Sequence, residues 1–325
     1  MPGGATAETI DYAPPRYARP PCPPGVIALN PQPTLPAPAT APAIAALLVN
    51  AFVWGVSWWP FRWLADRGLH PLWATAAIYL AALALIALRH PGALTLAWRR
   101  PALLALGAAA GVTNTCFNWG VSIGEVVRVV LLFYLMPIWA VLLARALLGE
   151  PLRAAALGPV LMAVSGAALV LWQPGLGVPM PASTGDWLGL AGGMGFALTN
   201  VLLRRQASDD AWARAAAMFA GGTLMPGAVA LACLALGVAV PLPALAPGAF
   251  GPLLLIAVIF VVANLALQYG AARLPTRVTA VVMLSEVLFA AVSSVGIAGE
   301  PVTMRLIAGA ALIVGASLVS AWRVR

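Results

Sequence analysis

From Ala43 onward, apolar stretches close to the ~20 residues that a helix needs to cross a bilayer follow one another. They predict spans at 43–64, 72–88, 101–121, 127–147, 153–172, 186–204, 212–237, 250–270, 276–297 and 303–322. The connectors are short and carry breakers and charge, as in ArgHisProGly at 89–92, GlyGluPro at 149–151 and GlnProGlyLeuGly at 173–177. Strands of a membrane barrel would alternate apolar and polar positions over about ten residues. These runs do not, so the pattern reads as an all-α membrane protein with ten transmembrane helices. Residues 1–42 are dense in proline and lack apolar periodicity, the signature of an extended, disordered tail. They also lack the basic start, apolar stretch and cleavage site of a secretory signal.

Arginine placement sets the orientation. With a cytoplasmic N-terminus, the inside segments hold Arg16, Arg19, Arg89, Arg99, Arg100, Arg145, Arg153, Arg204, Arg205, Arg214, Arg273, Arg277, Arg323 and Arg325, fourteen in all. The outside segments hold only Arg62, Arg67, Arg128 and Arg305. This asymmetry predicts an even number of spans with both termini inside, in a bacterial inner membrane. Composition agrees: 62% of the 325 residues are hydrophobic and 9% charged, too few charges to cover a soluble fold of this size.

Several functions drop out. The basic residues are scattered rather than gathered into one patch, so no nucleic-acid partner is expected. Cys22, Cys116 and Cys233 lack paired spacing, and His70 and His90 sit at helix ends, so neither disulfide, metal nor cofactor is expected. The chain has no lysine, so it has no Walker A loop for an ATP-driven pump. A membrane-embedded transferase would need clustered acids or histidines, and Asp209–Asp210 is the sole acidic pair. No enzyme is expected.

The chain repeats itself. From Asn114 it reads NTCFNWGVSIGEVVRVVLLFYLMPIWAVLLARALLGEP, and from Asn264 NLALQYGAARLPTRVTAVVMLSEVLFAAVSSVGIAGEP. At a constant offset of 150, Asn114 matches Asn264, Gly120 matches Gly270, and Gly149, Glu150 and Pro151 match Gly299, Glu300 and Pro301. Asn118 pairs with Gln268, and Trp119 with Tyr269. Five spans per half, an odd number, make the second half enter from the opposite side. The expected units are 43–172 and 186–322, two inverted five-helix repeats around a central cavity, an arrangement of secondary transporters that work by alternating access.

The helix ending in GlyGluPro, with TyrLeuMetPro at 134–137, resembles the EamA domain of the drug/metabolite transporter superfamily. Glu286, Val287, Leu288, Phe289 and Ala290 through Glu300 are similar to the second-half pattern, and TrpGly at 54–55 to the opening helix. Val287 replaces the usual proline, and Met136 stands where the second half has Glu286. The resemblance implies a ten-helix exporter of amino acids, other metabolites or drugs. The Tyr-Leu-x-Pro helix is similar to the branch that exports aromatic and neutral amino acids, with a drug or nucleotide-sugar transporter of the same fold as the alternative.

Polar residues inside spans are the candidates for a substrate site. Glu286 is the one carboxylate expected deep in a span, and a charge there is costly enough to suggest function. Arg277 is nine residues away, about 13 Å along a helix, too far to pair directly. Glu286 therefore holds a substrate amine or a coupling proton, or it is a protonated structural residue. Asn114 and Asn118 share one helix face, as do Asn264 and Gln268. They either line a polar track or bond helices together. Trp54, Ser57, Trp58, Tyr79, Tyr134 and Tyr269 complete the expected small-molecule site, whereas Trp63, Trp73, Trp98, Trp172 and Trp187 suit the lipid interface. Pro60, Pro137, Pro159 and Pro226 read as static kinks, and Gly189, Gly192, Gly193 and Gly195 as a close-packing surface.

Overall fold

The computed structural model describes residues 37–135, 138, 139, 142, 143, 145, 146, 154–172, 180–206, 209–238, 240–243, 247–271, 273, 274 and 276–323. The proline-dense tail up to residue 36, Met136, Pro137, Arg153, the first GlyGluPro and the 173–177 connector lie outside them.

Among the described residues all regular structure is helical. The elements are α1 (Ala37–Val56), α2 (Trp58–Ala65), α3 (Pro71–Arg89), α4 (Pro91–Arg99), α5 (Pro101–Ile123), α6 (Val126–Phe133), α7 (Ala154–Leu171), α8 (Thr184–Arg205) and α9 (Ala211–Ala235). They continue with α10 (Phe250–Ala271), α11 (Thr276–Met283), α12 (Ser285–Ser293), a π turn over Ser294–Ala298, and α13 (Met304–Arg323). Proline opens α3, α4 and α5, where its missing N–H costs nothing and its fixed φ suits the helix. His70 Nδ1 accepts from the Leu72 amide at 3.3 Å. Burial holds this imidazole below its ordinary pKa, which keeps it neutral and able to accept. Asp210 caps α9 by accepting from the Ala213 amide at 2.8 Å. Gly299, at φ 65°, ends the π turn in the left-handed region.

Among the described residues five stretches are long and apolar enough to cross a membrane: Ala41–Ala65, Pro71–Arg89, Ala211–Ala235, Phe250–Ala271 and Val281–Ala298. Leu157–Leu171 and Met304–Val319 are shorter apolar helices. Helices α5 and α8 fill two further expected spans but are not among the five. Both carry buried polar side chains, Thr113, Asn114, Thr115 and Asn118 on α5 and Asp186 and Thr199 on α8. Leu161, Leu255, Leu288 and Val292 stand more than half exposed, as suits a multi-pass protein whose outer surface meets lipid.

Three expectations change. Helix α1 begins at Ala37, with Pro42 inside it, rather than at 43. The 89–100 connector contains α4, which buries Ala93 and Ala97 and exposes Trp98. The spans expected at 43–64, 127–147 and 276–297 do not run as unbroken helices: α1 gives way to α2 at Ser57, α6 ends at Phe133, and α11 gives way to α12 at Leu284.

Glycine sets the closest helix contacts. A Cβ on Gly221 of α9 would lie 1.8 Å from the Gly107 carbonyl oxygen of α5, and one on Gly193 of α8 2.3 Å from that of Phe133. Helix α5 packs against α8 and α9, α10 against α1, α12 against α1, and α7 against α13.

Candidate functional site

Helices α1, α3, α5, α8, α9, α10 and α12, with the ends of α6 and α11, enclose a central cavity of about 70 Å³. That is room for several waters, each of which needs ~10–15 Å³. Beside Tyr79, six aromatic rings line its walls: Trp54, Phe117, Phe133, Phe196, Phe219 and Phe260. The rings pack edge-on or tilted, with centroids 4.9 Å apart for Trp54–Phe260 and for Phe117–Phe133, the geometry that ring quadrupoles favour.

Most polar groups in this lining are satisfied within it. Tyr79 Oη donates to Asn114 Oδ1 at 2.6 Å, and Asn114 Nδ2 donates to the Ala110 carbonyl at 2.7 Å. Thr113 and Thr199 each bond back one helical turn, to Ala109 and Gly195. Glu286 is 5% exposed and faces the same cavity. Its Oε2 lies 2.7 Å from Tyr134 Oη, which is also 3.0 Å from the Met283 carbonyl oxygen. Among the described residues no cation pairs with it.

The break between α11 and α12 creates this arrangement. The Val287 amide bonds to Leu284 O, three residues back, rather than to Met283 O. The freed Met283 carbonyl takes the Tyr134 hydroxyl instead. Tyr134 sits where α6 ends, with the next amide, Leu135, already turned to Leu132 O. One hydroxyl carries one proton. The Tyr134 O–H is shared between the Met283 carbonyl and Glu286 Oε2; were Glu286 protonated and donating to Tyr134 Oη, the hydroxyl proton would be left wholly to Met283 O.

Of the residues expected from sequence, Trp54, Tyr79, Asn114, Asn264 and Glu286 line the cavity, and Tyr134 braces Glu286. The others lie elsewhere. Ser57 donates to Trp54 O at 2.8 Å at the α1–α2 break. Trp58 donates from Nε1 to Ser293 Oγ at 2.9 Å, tying α2 to α12. Asn118 is fully buried next to the Tyr79 side, but its amide closes no hydrogen bond of ordinary geometry. Gln268 points away, accepting from Arg214 Nη2 at 3.4 Å and donating to Asn264 Oδ1 at 2.8 Å. Tyr269 is 39% exposed, with the Arg273 guanidinium 3.7 Å from its ring centroid. Sequence reasoning missed Asn50, Thr113, Thr199 and the phenylalanines. Asn50 has an identical match at the repeat offset in Asn200, a signal that could have found it, whereas a phenylalanine in an apolar span looks like any other lipid-facing or core residue.

One end of the bundle is closed by ions. Arg62 Nη2 bonds to Glu300 Oε1 at 3.0 Å and to the Gly124 carbonyl at 2.6 Å. Both Glu300 oxygens accept from the Val126 amide, at 3.1 and 2.9 Å, capping α6. Arg128 grips Asp186 with two bonds of 2.6 and 2.9 Å, and also reaches Val170 O. At the opposite end Arg100 pairs with Asp209.

The family model described as the EamA-like transporter family matches residues 41–172, and that family lies within the drug/metabolite transporter superfamily. No curated protein matches the sequence. One solved crystal structure superposes with a TM-score of 0.55 at 19% identity, covering 88% of this chain and 97% of the other. At that identity the likeness is one of fold. A membrane-spanning helical chain with an aromatic-lined central cavity accords with the family match, which makes residues 41–172 similar to the EamA-like transporter family.

Proposed function

We propose that this protein is a secondary transporter that exports an aromatic or neutral amino acid, or a closely related small metabolite, across the bacterial inner membrane. The observation that carries this reading is the aromatic cavity with Glu286 at the junction of two interrupted helices. Discontinuous helices meeting at mid-membrane are characteristic of substrate and ion sites in transporters.

Alternating access by two opposed halves, 43–172 and 186–322, fits the packing. The interruptions at Tyr134 and Leu284 are 150 residues apart, the repeat offset. The contact of α5 with α8 has its counterpart in α10 with α1, and that of α6 with α8 in α11 with α1. Helix α1 starts near Gly270, at the end opposite Gly124, whereas α8 starts beside Gly124. Such an exchange of roles is what an inverted duplication produces. The arginine asymmetry favours both termini in the cytoplasm.

In this reading the proton on Glu286 is the coupling ion. Tyr134 and the Met283 carbonyl hold it in the resting site, and it leaves when the α11–α12 break rearranges. The test is counterflow of labelled phenylalanine in proteoliposomes, with and without a pH gradient. Transport accelerated by the gradient and slowed by an uncoupler is expected. Downhill flux indifferent to the uncoupler would point to a channel or uniporter, and no flux of any aromatic solute would remove the assignment.

A further inference from the structure

Two asparagines at the cavity are oriented in opposite senses by partners that leave no choice. Asn50 on α1 is fully buried, and its Nδ2 donates to the Ala263 carbonyl of α10 at 2.8 Å. A carbonyl only accepts, so the amide cannot be flipped. Its Oδ1 is therefore fixed as an acceptor, buried and without a hydrogen-bond partner, in a residue that belongs to the cavity lining. A buried acceptor without a partner costs free energy, which a bound donor would recover.

Asn264, the residue after Ala263, is set the other way. Arg214 can only donate, and its Nη2 donates to Gln268 Oε1. Gln268 must then present Nε2, which donates to Asn264 Oδ1 at 2.8 Å. With its oxygen taken, Asn264 has N–H donors left for the cavity it lines. The positive charge of Arg214 polarises this chain of amides in the direction that suits an anion at its far end.

We infer that Asn50 and Asn264 form the head-group site for a zwitterion, the ammonium on Asn50 Oδ1 and the carboxylate on the Asn264 amide hydrogens. The Asn50 bond to Ala263 O ties Asn50 to the residue before Asn264, both residues line the same cavity, and the two charges of an α-amino acid are themselves neighbours. Glu286 lies on the same cavity and adds an acceptor oxygen for the ammonium, while Trp54, Phe117 and Phe260 receive an apolar side chain. No cationic side chain lines the cavity among the described residues, so a carboxylate there is met by neutral donors, and the Asn264 amide is one whose oxygen is already taken. This inference rests on the transport reading and names the chemistry that its site selects.

The experiment compares three probes of one shape in counterflow by the full-length protein: phenylalanine, 2-phenylethylamine without the carboxylate, and 3-phenylpropionate without the amine. Phenylalanine should be preferred about tenfold or more over each of the others, the effect of one hydrogen bond to a charged group. Asn264→Leu should erase the preference over 2-phenylethylamine and keep that over 3-phenylpropionate. Asn50→Leu should do the reverse. A purely structural role would weaken all three probes alike, and that outcome overturns the inference. So does a wild-type protein that moves the three equally, a result that needs no variant and leaves the transport reading intact. If the wild type moves none of them, the transport reading fails and the head-group site fails with it.

Discussion

The acids at the end of the bundle and the acid at its centre are treated in opposite ways. Asp186 and Glu300 each meet an arginine and also accept from backbone amides, Asp186 from Ala182 and Ser183 and Glu300 from Val126. The two ion pairs tie separate elements together, the amide contacts hold helix entries, and the lone pairs are consumed in doing so. Glu286 meets one neutral hydroxyl and faces a cavity. A carboxyl that served only to hold helices together would be matched as the peripheral ones are. In the proposed transport reading, pairing marks an acid as structural, and an acid without a paired cation in an apolar span is the one that exchanges partners.

The comparison can be broken by mutation, beginning with the peripheral pairs. Asp186→Ala leaves Arg128 without its carboxylate and the Ala182 and Ser183 amides without their acceptor, and should destabilise the protein by roughly 3–5 kcal/mol. Thermal unfolding in detergent reads this as a large fall in Tm, and the surviving folded fraction should keep its substrate preference. Glu300→Gln retains an acceptor for the Val126 amide but loses the charge opposite Arg62, which is itself partly exposed. Its cost should be about 1–2 kcal/mol in the same measurement. At the centre, Tyr134→Phe removes the hydroxyl that holds Glu286 and the Met283 carbonyl. It should slow counterflow about tenfold, equivalent to ~1.4 kcal/mol in the barrier, while Tm falls by less than for Asp186→Ala. Tyr269→Ala should do least, within about 0.5 kcal/mol of wild type and with unchanged transport, because that ring lies outside the cavity.

Much of the helical layout was legible because a membrane span must satisfy its backbone internally and be apolar over a fixed length. The apolar runs at 72–88, 212–237 and 250–270 became α3, α9 and α10 within a residue or two. Helix α4 was not legible, since nine residues between two prolines carry too short a period to separate from a connector. The interruption at Leu284 was hidden too, because nothing in ValMetLeuSerGlu breaks a helix by itself; only the freed Met283 carbonyl and its new partner reveal it. At the site, Glu286, Asn114 and Asn264 stood out because polar groups are rare in apolar runs. Asn118 and Gln268 carried the same signal, yet one sits outside the cavity lining and the other turns to Arg214. Helical spacing fixes a face but not which neighbour that face meets. Asn50 went unnoticed because its meaning depends on the Ala263 carbonyl, 213 residues away in sequence.

The most direct test is counterflow of phenylalanine by Glu286→Gln, normalised to correctly inserted protein, because glutamine keeps the shape and can still bond to Tyr134 but cannot exchange a proton. The account predicts a folded variant, with a Tm near wild type, that moves no substrate. A folded Glu286→Gln protein transporting at the wild-type rate would show that this acid is as structural as Asp186 and Glu300, and the mechanism built on it would fall.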